Sequence, residues 1–399
     1  MSINVRHAMG WMTASQALRT LEVRPQTLYA NVSRKRIRAK ADPKDPRRSL
    51  YHEGDVRRLA RKRGGARKAE EVAAAAIEWG TPVLASAVST VAGGRLWYRG
   101  EDAVLLAEAK TLEEIAVLLW GVSDPQSLQR NSSAAEAASR RPRDTARPSS
   151  SELSRVFLEL ARRVNEDPPS HGRTLAVLQA EAAEVLATVA DAMLGSSAAA
   201  ALHQRLAKAW GRADASDLIR RSLVLLADHE LNASTFATRV TVSTGASLAA
   251  GVLGGLATLT GPLHGGAAAG VRELMDAASS QGAEAAIRDR LAQGRPMAGF
   301  GHPLYPAGDP RAAALLQRLQ IPPGLAEIRD LVEDLVGERP NIDFALAALT
   351  ETGRLPRQAP LVLFALARSV GWLAHALEQV TTGRLIRPRA RYVGPAPRL

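Results

Sequence analysis

Cysteine is absent from all 399 residues. Its absence excludes a disulfide framework, a thiolate nucleophile, an iron–sulfur cluster and a cysteine zinc site. The eight histidines show no paired ligand spacing near carboxylates, so no metal is expected. Met1 to Thr13 lacks an apolar run of signal-peptide length, Arg6 and His7 lying within it, and a cytoplasmic location is the default expectation. Strand-like alternation is scarce throughout. Residues 240–270 lack Asp, Glu, Lys and Arg altogether, which raises the question of a membrane span. Six Thr and Ser residues, Pro262 and His264 argue against one, no second span-length stretch is expected, and close helix packing explains Gly251 and Gly255 better.

What is present is a chain of globular composition, 46% hydrophobic and 23% charged, long enough for two or three domains. Its formal charge of +12 is unevenly placed. Residues 1–70 hold 18 Lys and Arg against 6 Asp and Glu, and residues 71–399 hold 34 of each sign. A small polyanion-binding module joined to a charge-balanced body would give this split, as would a solvated basic tail.

Within the basic part, Thr13-Ala-Ser-Gln16 has the form of a capping box and starts a short helix through Ala17, Leu18 and Leu21. Pro25 suits the first position of a second helix, with Leu28 and Val32 as its apolar pair. That helix carries Gln26, Thr27, Asn31, Ser33 and Arg34, side chains able to meet base edges or phosphates in a major groove, and Arg36 and Arg38 extend the basic stripe. Ile37 to Lys40 and Ser49 to His52 read as a hairpin with Arg47 and Arg48 near its turn, followed by a helix from Glu53 to Arg63. Thr13-Ala-Ser-Gln-Ala17, Thr27-Leu-Tyr29 and Tyr51-His-Glu-Gly-Asp-Val56 resemble the MerR-type and excisionase-type winged helix-turn-helix family over residues 11–63. Arg24 departs from it, standing where a small capping residue is usual. The resemblance implies duplex DNA as a partner, with Gln26, Thr27, Asn31, Arg34, Arg47 and Arg48 as candidate contacts.

Gly64-Gly65 reads as a hinge, which divides the chain into residues 1–70 and 71–399. Residues 125–151, rich in Ser, Ala, Arg and Pro, read as an irregular insertion. Apolar spacing places helices between Glu152 and Leu194 and at 201–210, 215–227, 311–319, 325–336, 344–349 and 360–380, so the fold class is mainly α.

Three separated segments carry polar groups that packing does not require. They are Asp228-His-Glu-Leu-Asn-Ala-Ser-Thr235, Gly261-Pro-Leu-His-Gly-Gly266 and Gly299-Phe-Gly-His-Pro-Leu-Tyr-Pro-Ala-Gly-Asp-Pro-Arg311. Glycines around a histidine let backbone and ring approach a ligand, although a lone histidine is more often structural. Together with Asn341-Ile-Asp-Phe344, Phe364-Ala-Leu-Ala-Arg368, Gly371-Trp-Leu-Ala-His375, Leu385-Ile-Arg-Pro388, Tyr98-Arg-Gly100 and Leu106-Ala-Glu108, the segments resemble the citrate synthase family in its own order, over residues 78–394.

The resemblance implies helical large and small domains, the small one over roughly 270–365, and condensation of acetyl-CoA with oxaloacetate to citrate and CoA. Asp343 matches the base acting on the acetyl methyl group, His264 the group that steadies the enol oxygen, and His302 the group that polarises the ketone. A helix starting near Gly265 would help keep His264 neutral. His229, Arg311 and Arg368 match oxaloacetate ligands, and Arg387 matches an arginine supplied by a second subunit, which implies a homodimer. Acyl-CoA enters as a substrate, no tightly bound cofactor is implied, and the resemblance assigns no CoA-contacting residue. His171, His203 and His375 read as packing or surface residues, Asp309 as a helix cap, and Asp228 and Glu230 as supports for His229.

Departures from the family bear on the acyl substrate. Gly265-Gly-Ala-Ala-Ala269 replaces Gly-Gly-Ala-Asn-Glu, Pro303 and Pro306 occupy basic positions, and Phe344-Ala-Leu-Ala-Ala348 replaces Phe-Tyr-Ser-Gly. Propionyl-CoA and 2-methylcitrate are therefore alternatives, since one methylene alters binding by only ~1 to 3 kcal/mol. A transcription regulator sensing CoA esters or oxaloacetate, and a basic module that only docks onto protein, are the readings from other classes.

Overall fold

The computed structural model describes residues 10–21, 23, 25–43, 45–64, 84–123, 151–195, 200–390, 392 and 394–395, with the backbone alone for 25, 26, 46, 47 and 61–64. The expected insertion at 125–151 lies outside the described residues except for its last one. The chain divides into two compact units, residues 1–85 with 390–399, and residues 86–389.

In the first unit, strand β1 (Trp11–Thr13) leads into helix α1 (Ala14–Leu21), then helix α2 (Pro25–Ser33), strands β2 (Ala39–Asp42) and β3 (Asp45–His52), and helix α3 (Glu53–Gly64). The capping box forms as its residues dictate, with Thr13 N donating to Gln16 Oε1 at 2.8 Å and Gln16 N to Thr13 Oγ1 at 3.4 Å. The expected hairpin pairs Ala39 with Tyr51 and Lys40 with Leu50. Sequence reading missed β1, which adds an antiparallel third strand by pairing Met12 with Tyr51. Met12, Ala17, Leu21, Leu28, Ile37, Tyr51 and Val56 form the core of this unit. Buried Asp55 accepts from Arg38 Nε at 2.8 Å and from Arg58 Nη2 at 2.8 Å, so Arg38 is engaged within the fold rather than free to extend a basic stripe.

The second unit is helical apart from a small antiparallel sheet of β4 (Ser89–Ala92), β5 (Arg95–Tyr98) and β6 (Glu101–Asp102). Among the described residues its α-helices are α4 (Ala103–Ala109), α5 (Leu112–Trp120), α6 (Glu152–Glu166), α7 (Leu175–Leu194), α8 (Leu202–Ala209), α9 (Ser216–Leu226), α10 (Ala233–Ser243), α11 (Leu248–Leu259), α12 (Ala267–Gln281), α13 (Ala283–Ala292), α14 (Pro310–Leu316), α15 (Pro323–Val336), α16 (Ile342–Thr352) and α17 (Ala359–Thr382). Helix α17 is the axis, packed against α5, α7, α9, α10 and α11. Glycine permits the closest approaches: a Cβ on Gly255 would lie 2.5 Å from Thr238 Oγ1 and 2.8 Å from the Trp372 ring.

Residues 240–270 do not form one long span; α10 ends at Ser243, α11 has 12 residues, and a turn follows at 261–266. The expectation of no second span-length stretch fails, because Ala359–Thr382 is long and apolar enough by composition, yet 94% of its apolar window is buried inside the protein. Apolar character there serves the core.

Two hydrophobic clusters meet on α16. Ile342, Ala345, Leu346 and Leu349 join the larger cluster, while Phe344, Ala347 and Ala348 join a second one built from α12, α13, α15 and residues 297–300. Asp343 stands at the start of the helix that both clusters share.

Candidate active site

Residues 228–230 form a loop held from outside by β4. Ser89 Oγ donates to Asp228 Oδ2, Glu230 N donates to Ser89 Oγ at 2.9 Å, and Val91 N donates to Glu230 Oε1 at 2.5 Å. Glu230 adopts φ 51°, a left-handed conformation that costs energy in a residue with a Cβ and is held here by those bonds. His229 is thereby presented with its Nε2 2.9 Å from the Tyr305 hydroxyl. The expectation that Asp228 and Glu230 orient His229 is met only indirectly: Asp228 accepts from buried His375 Nε2 at 3.1 Å, and Glu230 pins the hairpin.

His302 lies in a loop whose glycines are required. Gly299 has φ +84°, and a Cβ there would lie 2.6 Å from Val271 and 3.1 Å from Phe344 Cβ. Gly301 N donates to Arg339 O at 2.9 Å, and Asn341 N donates to Gly299 O at 2.8 Å. Asn341 also caps α16 by accepting from Asp343 N at 3.0 Å, so the loop bearing His302 and the helix bearing Asp343 are stitched together. Leu304 N donates to His302 Nδ1 at 3.1 Å, which leaves the hydrogen of the neutral ring on Nε2. The His302 and His229 rings meet edge to face at 5.1 Å.

Asp309 and Arg311 form a buried fork, Nε to Oδ1 at 3.0 Å and Nη2 to Oδ2 at 2.8 Å. Asp309 caps α14 as expected and also accepts from Ile342 N at 3.1 Å. Burial alone would raise its pKa, but the Arg311 charge and the hydrogen bonds from Arg311 together outweigh that and hold it below the ordinary value. Arg368 is equally buried, yet it donates only to Leu226 O at 3.0 Å and pairs with no carboxylate among the described residues. Burial pushes its pKa down, with neighbouring Asp228 opposing. A buried guanidinium without an anion is costly, and a ligand carboxylate would relieve it.

His264 sits in the turn at 261–266, its Nε2 2.9 Å from Ser234 Oγ, which also receives Trp372 Nε1 at 3.1 Å and donates to Asn232 Oδ1 at 2.8 Å. Its pKa is lowered to about 4 by burial first and Arg368 second, so burial, more than the helix start expected from the sequence, keeps it neutral. His302 is lowered to about 4 by burial and Arg311. Burial also drives His229 well below the ordinary histidine value. Asp343 moves the opposite way, raised to about 6 by burial, and its Oδ1 is buried without a hydrogen-bond partner among the described residues. Three neutral imidazoles, two buried arginines and one carboxylate poised near neutrality can bind a dicarboxylate, polarise a carbonyl and accept a proton.

The structure brings His229, His302, Arg311 and Tyr305 into direct contact, the Arg311 guanidinium lying 5.4 Å over the Tyr305 ring. His264 joins them through electrostatic coupling with Arg368, and Asp343 through coupling with Arg311 and Asp309. Exposed Arg387 follows the end of α17 and makes no hydrogen bond or ion pair to the cluster among the described residues of this single chain. Sequence reasoning assigned no role to Tyr305, Ser234 or Asn341. All three lie inside the quoted segments, Ser234 in 228–235, Tyr305 in 299–311 and Asn341 at the start of 341–344.

Residues 76–389 match the family described as citrate synthase, C-terminal domain. The chain is 30% identical to the 2-methylcitrate synthase of Shewanella oneidensis over 354 residues, covering 78% of this chain and 93% of that one. It is 39% identical to citrate synthase 2 of Bacillus subtilis over 190 residues, 45% of this chain, and so spans about half (51%) of that relative's length. In three dimensions it is similar to the citrate synthase of Thermotoga maritima, with TM-score 0.62, 27% identity and coverage of 80% of this chain and 96% of that one. It is also similar to the citrate synthase of Thermoplasma acidophilum solved with carboxymethyl coenzyme A and oxaloacetate, with TM-score 0.63, 25% identity and coverage of 80% and 95%. With the family's sequence pattern running through the very loops that assemble these histidines, arginines and Asp343, the chain belongs to the citrate synthase family.

Proposed function

We propose that this chain condenses acetyl-CoA with oxaloacetate and hydrolyses the resulting thioester to citrate and CoA. The observation that carries the reading is that, among the described residues, Asp343 has a buried carboxylate oxygen without a partner and Arg368 a buried guanidinium without a carboxylate. Asp343 takes a proton from the acetyl methyl group. The Ser234 hydroxyl lies within reach of His264 Nε2. His264, kept neutral by burial, steadies the thioester oxygen as it gains enol character. The enol carbon attacks the oxaloacetate ketone, whose oxygen takes the Nε2 hydrogen of His302 as the new alkoxide forms. Arg311, Arg368 and His229 hold the oxaloacetate carboxylates. The ligand pair bound to the Thermoplasma acidophilum relative supports these substrate assignments. Mass detection of citrate from acetyl-CoA and oxaloacetate tests the reading; folded protein that yields none contradicts it.

Propionyl-CoA is the second acyl substrate, favoured by the long alignment with a 2-methylcitrate synthase. The same assay with propionyl-CoA then yields 2-methylcitrate at a comparable or higher rate.

We infer a homodimer that supplies Arg387 across subunits. Exposed Leu158 and Val164 on α6 and Leu175 and Val177 on α7, four large apolar side chains left in water, support it. For residues 1–70 we propose duplex DNA binding by a winged helix-turn-helix module, supported by its two short helices, its hairpin and exposed Thr27, Arg34 and Arg36. Asn31 is turned partly inward, its Nδ2 donating to Thr27 O at 2.8 Å, and Arg48 pairs with Asp45 at 3.2 Å. The side chains of Gln26 and Arg47 lie outside the described residues.

A further inference from the structure

We propose that Tyr305 is a positioning residue that sets the tautomer of His229, placing the ring hydrogen on Nδ1 so that it is donated to a carboxylate oxygen of the bound oxo-acid. The identity of that ligand rests on the function proposed above; the tautomer does not.

The argument begins with where one hydrogen can go. Tyr305 is buried, and its hydroxyl has one polar partner among the described residues, His229 Nε2 at 2.9 Å. Were His229 to donate from Nε2, the phenol hydrogen would be left inside the protein with no acceptor, the more costly of the two arrangements. With Tyr305 donating, only a lone pair on its oxygen goes unused. Burial keeps both groups neutral, pushing the phenol pKa up and the imidazole pKa down, so neither hydrogen is lost by ionisation. A neutral ring that accepts at Nε2 must carry its hydrogen at Nδ1.

The geometry holds the hydroxyl in place. The Tyr305 ring lies 4.9 Å from His302 and 5.6 Å from His229, with the Arg311 guanidinium over its face at 5.4 Å. Its backbone is fixed by Tyr305 N donating to His302 O at 3.0 Å and Gly308 N donating to Tyr305 O at 2.9 Å. Tyr305 thus touches His229, His302 and Arg311 while presenting them with a single polar atom, directed at His229.

The test uses the full chain carrying 15N-histidine, with the His229 signals identified by their loss in His229→Gln. In the unliganded wild type, the nitrogen shifts should show a protonated Nδ1 and an accepting Nε2; a hydrogen on Nε2 overturns the proposal. In Tyr305→Phe, which keeps the ring packing, the hydrogen should move to Nε2, and KM for oxaloacetate should rise about tenfold while kcat changes by less than about threefold. An unchanged KM, or a fall in kcat alone, also overturns it. The wild-type spectrum decides the tautomer even if Tyr305→Phe does not fold. Because it is read without substrate, it decides the tautomer independently of turnover.

Discussion

Asp343 must be ionised to accept a proton, and burial raises its pKa to about 6. The account therefore expects kcat/KM to climb about tenfold per pH unit below about pH 6 and to level off above it, as measured in a pH–rate profile. Stability follows the opposite course. A carboxyl whose folded pKa exceeds its unfolded value contributes stability below the unfolded pKa of about 4 and loses it as pH rises through about 6. Asp343→Asn should melt higher than wild type near about pH 8, by roughly 1 to 3 kcal/mol, and gain little near about pH 4. Arg368→Gln removes the buried guanidinium while keeping a donor for Leu226 O, and should weaken oxaloacetate binding about a hundredfold by calorimetry, because substrate carboxylate would lose its charged partner. At this scale His264, His302 and Asp343 were legible because each sits in a short motif with framing residues. Tyr305 was not, since its pairing with His229 spans 76 positions and no local pattern encodes a long-range hydroxyl contact.

Between elements, tolerance to volume is set by where backbones approach. Gly371 on α17 faces Ala227 O and Asp228 Oδ1, and a methyl group there would collide with both. Gly371→Ala should therefore destabilise the fold by about 1 to 3 kcal/mol in chemical denaturation and disturb the neighbouring His229 loop. Helices with strong apolar period were readable: 215–227 appears as Ser216–Leu226 and 360–380 as Ala359–Thr382. The continuous stretch 240–270 was harder, because Gly, Ala, Thr and Ser give little amphipathic contrast and the breaks at 244–247 and 260–266 rest on turns and caps such as Ser247 Oγ accepting from Ala250 N at 3.3 Å. Strand β1 escaped notice for a related reason: three residues acquire strand geometry only by pairing with β3, forty positions away.

For the whole molecule, the basic charge of residues 1–70 and the neutrality of the rest suggest separable activities. Removal of residues 1–70 should leave turnover intact, whereas duplex DNA binding by the full chain should weaken steeply and log-linearly with salt as counterions are released. Salt-insensitive binding would instead favour docking onto protein. The family was legible over most of the chain because its motifs follow one another in order; the acyl substrate was not, because Pro303, Pro306 and Ala345 stand where the family pattern differs. The measurement that tests the central claim most directly is oxaloacetate-dependent release of CoA thiol by wild type and Asp343→Asn side by side, with oxaloacetate binding followed by calorimetry. The chain has no cysteine to contribute background thiol. The account predicts robust release by wild type, a loss of about a thousandfold in Asp343→Asn, and similar oxaloacetate affinity in both. Wild-type protein that binds oxaloacetate but releases no CoA would contradict it and make this chain a sensor built on an enzyme fold.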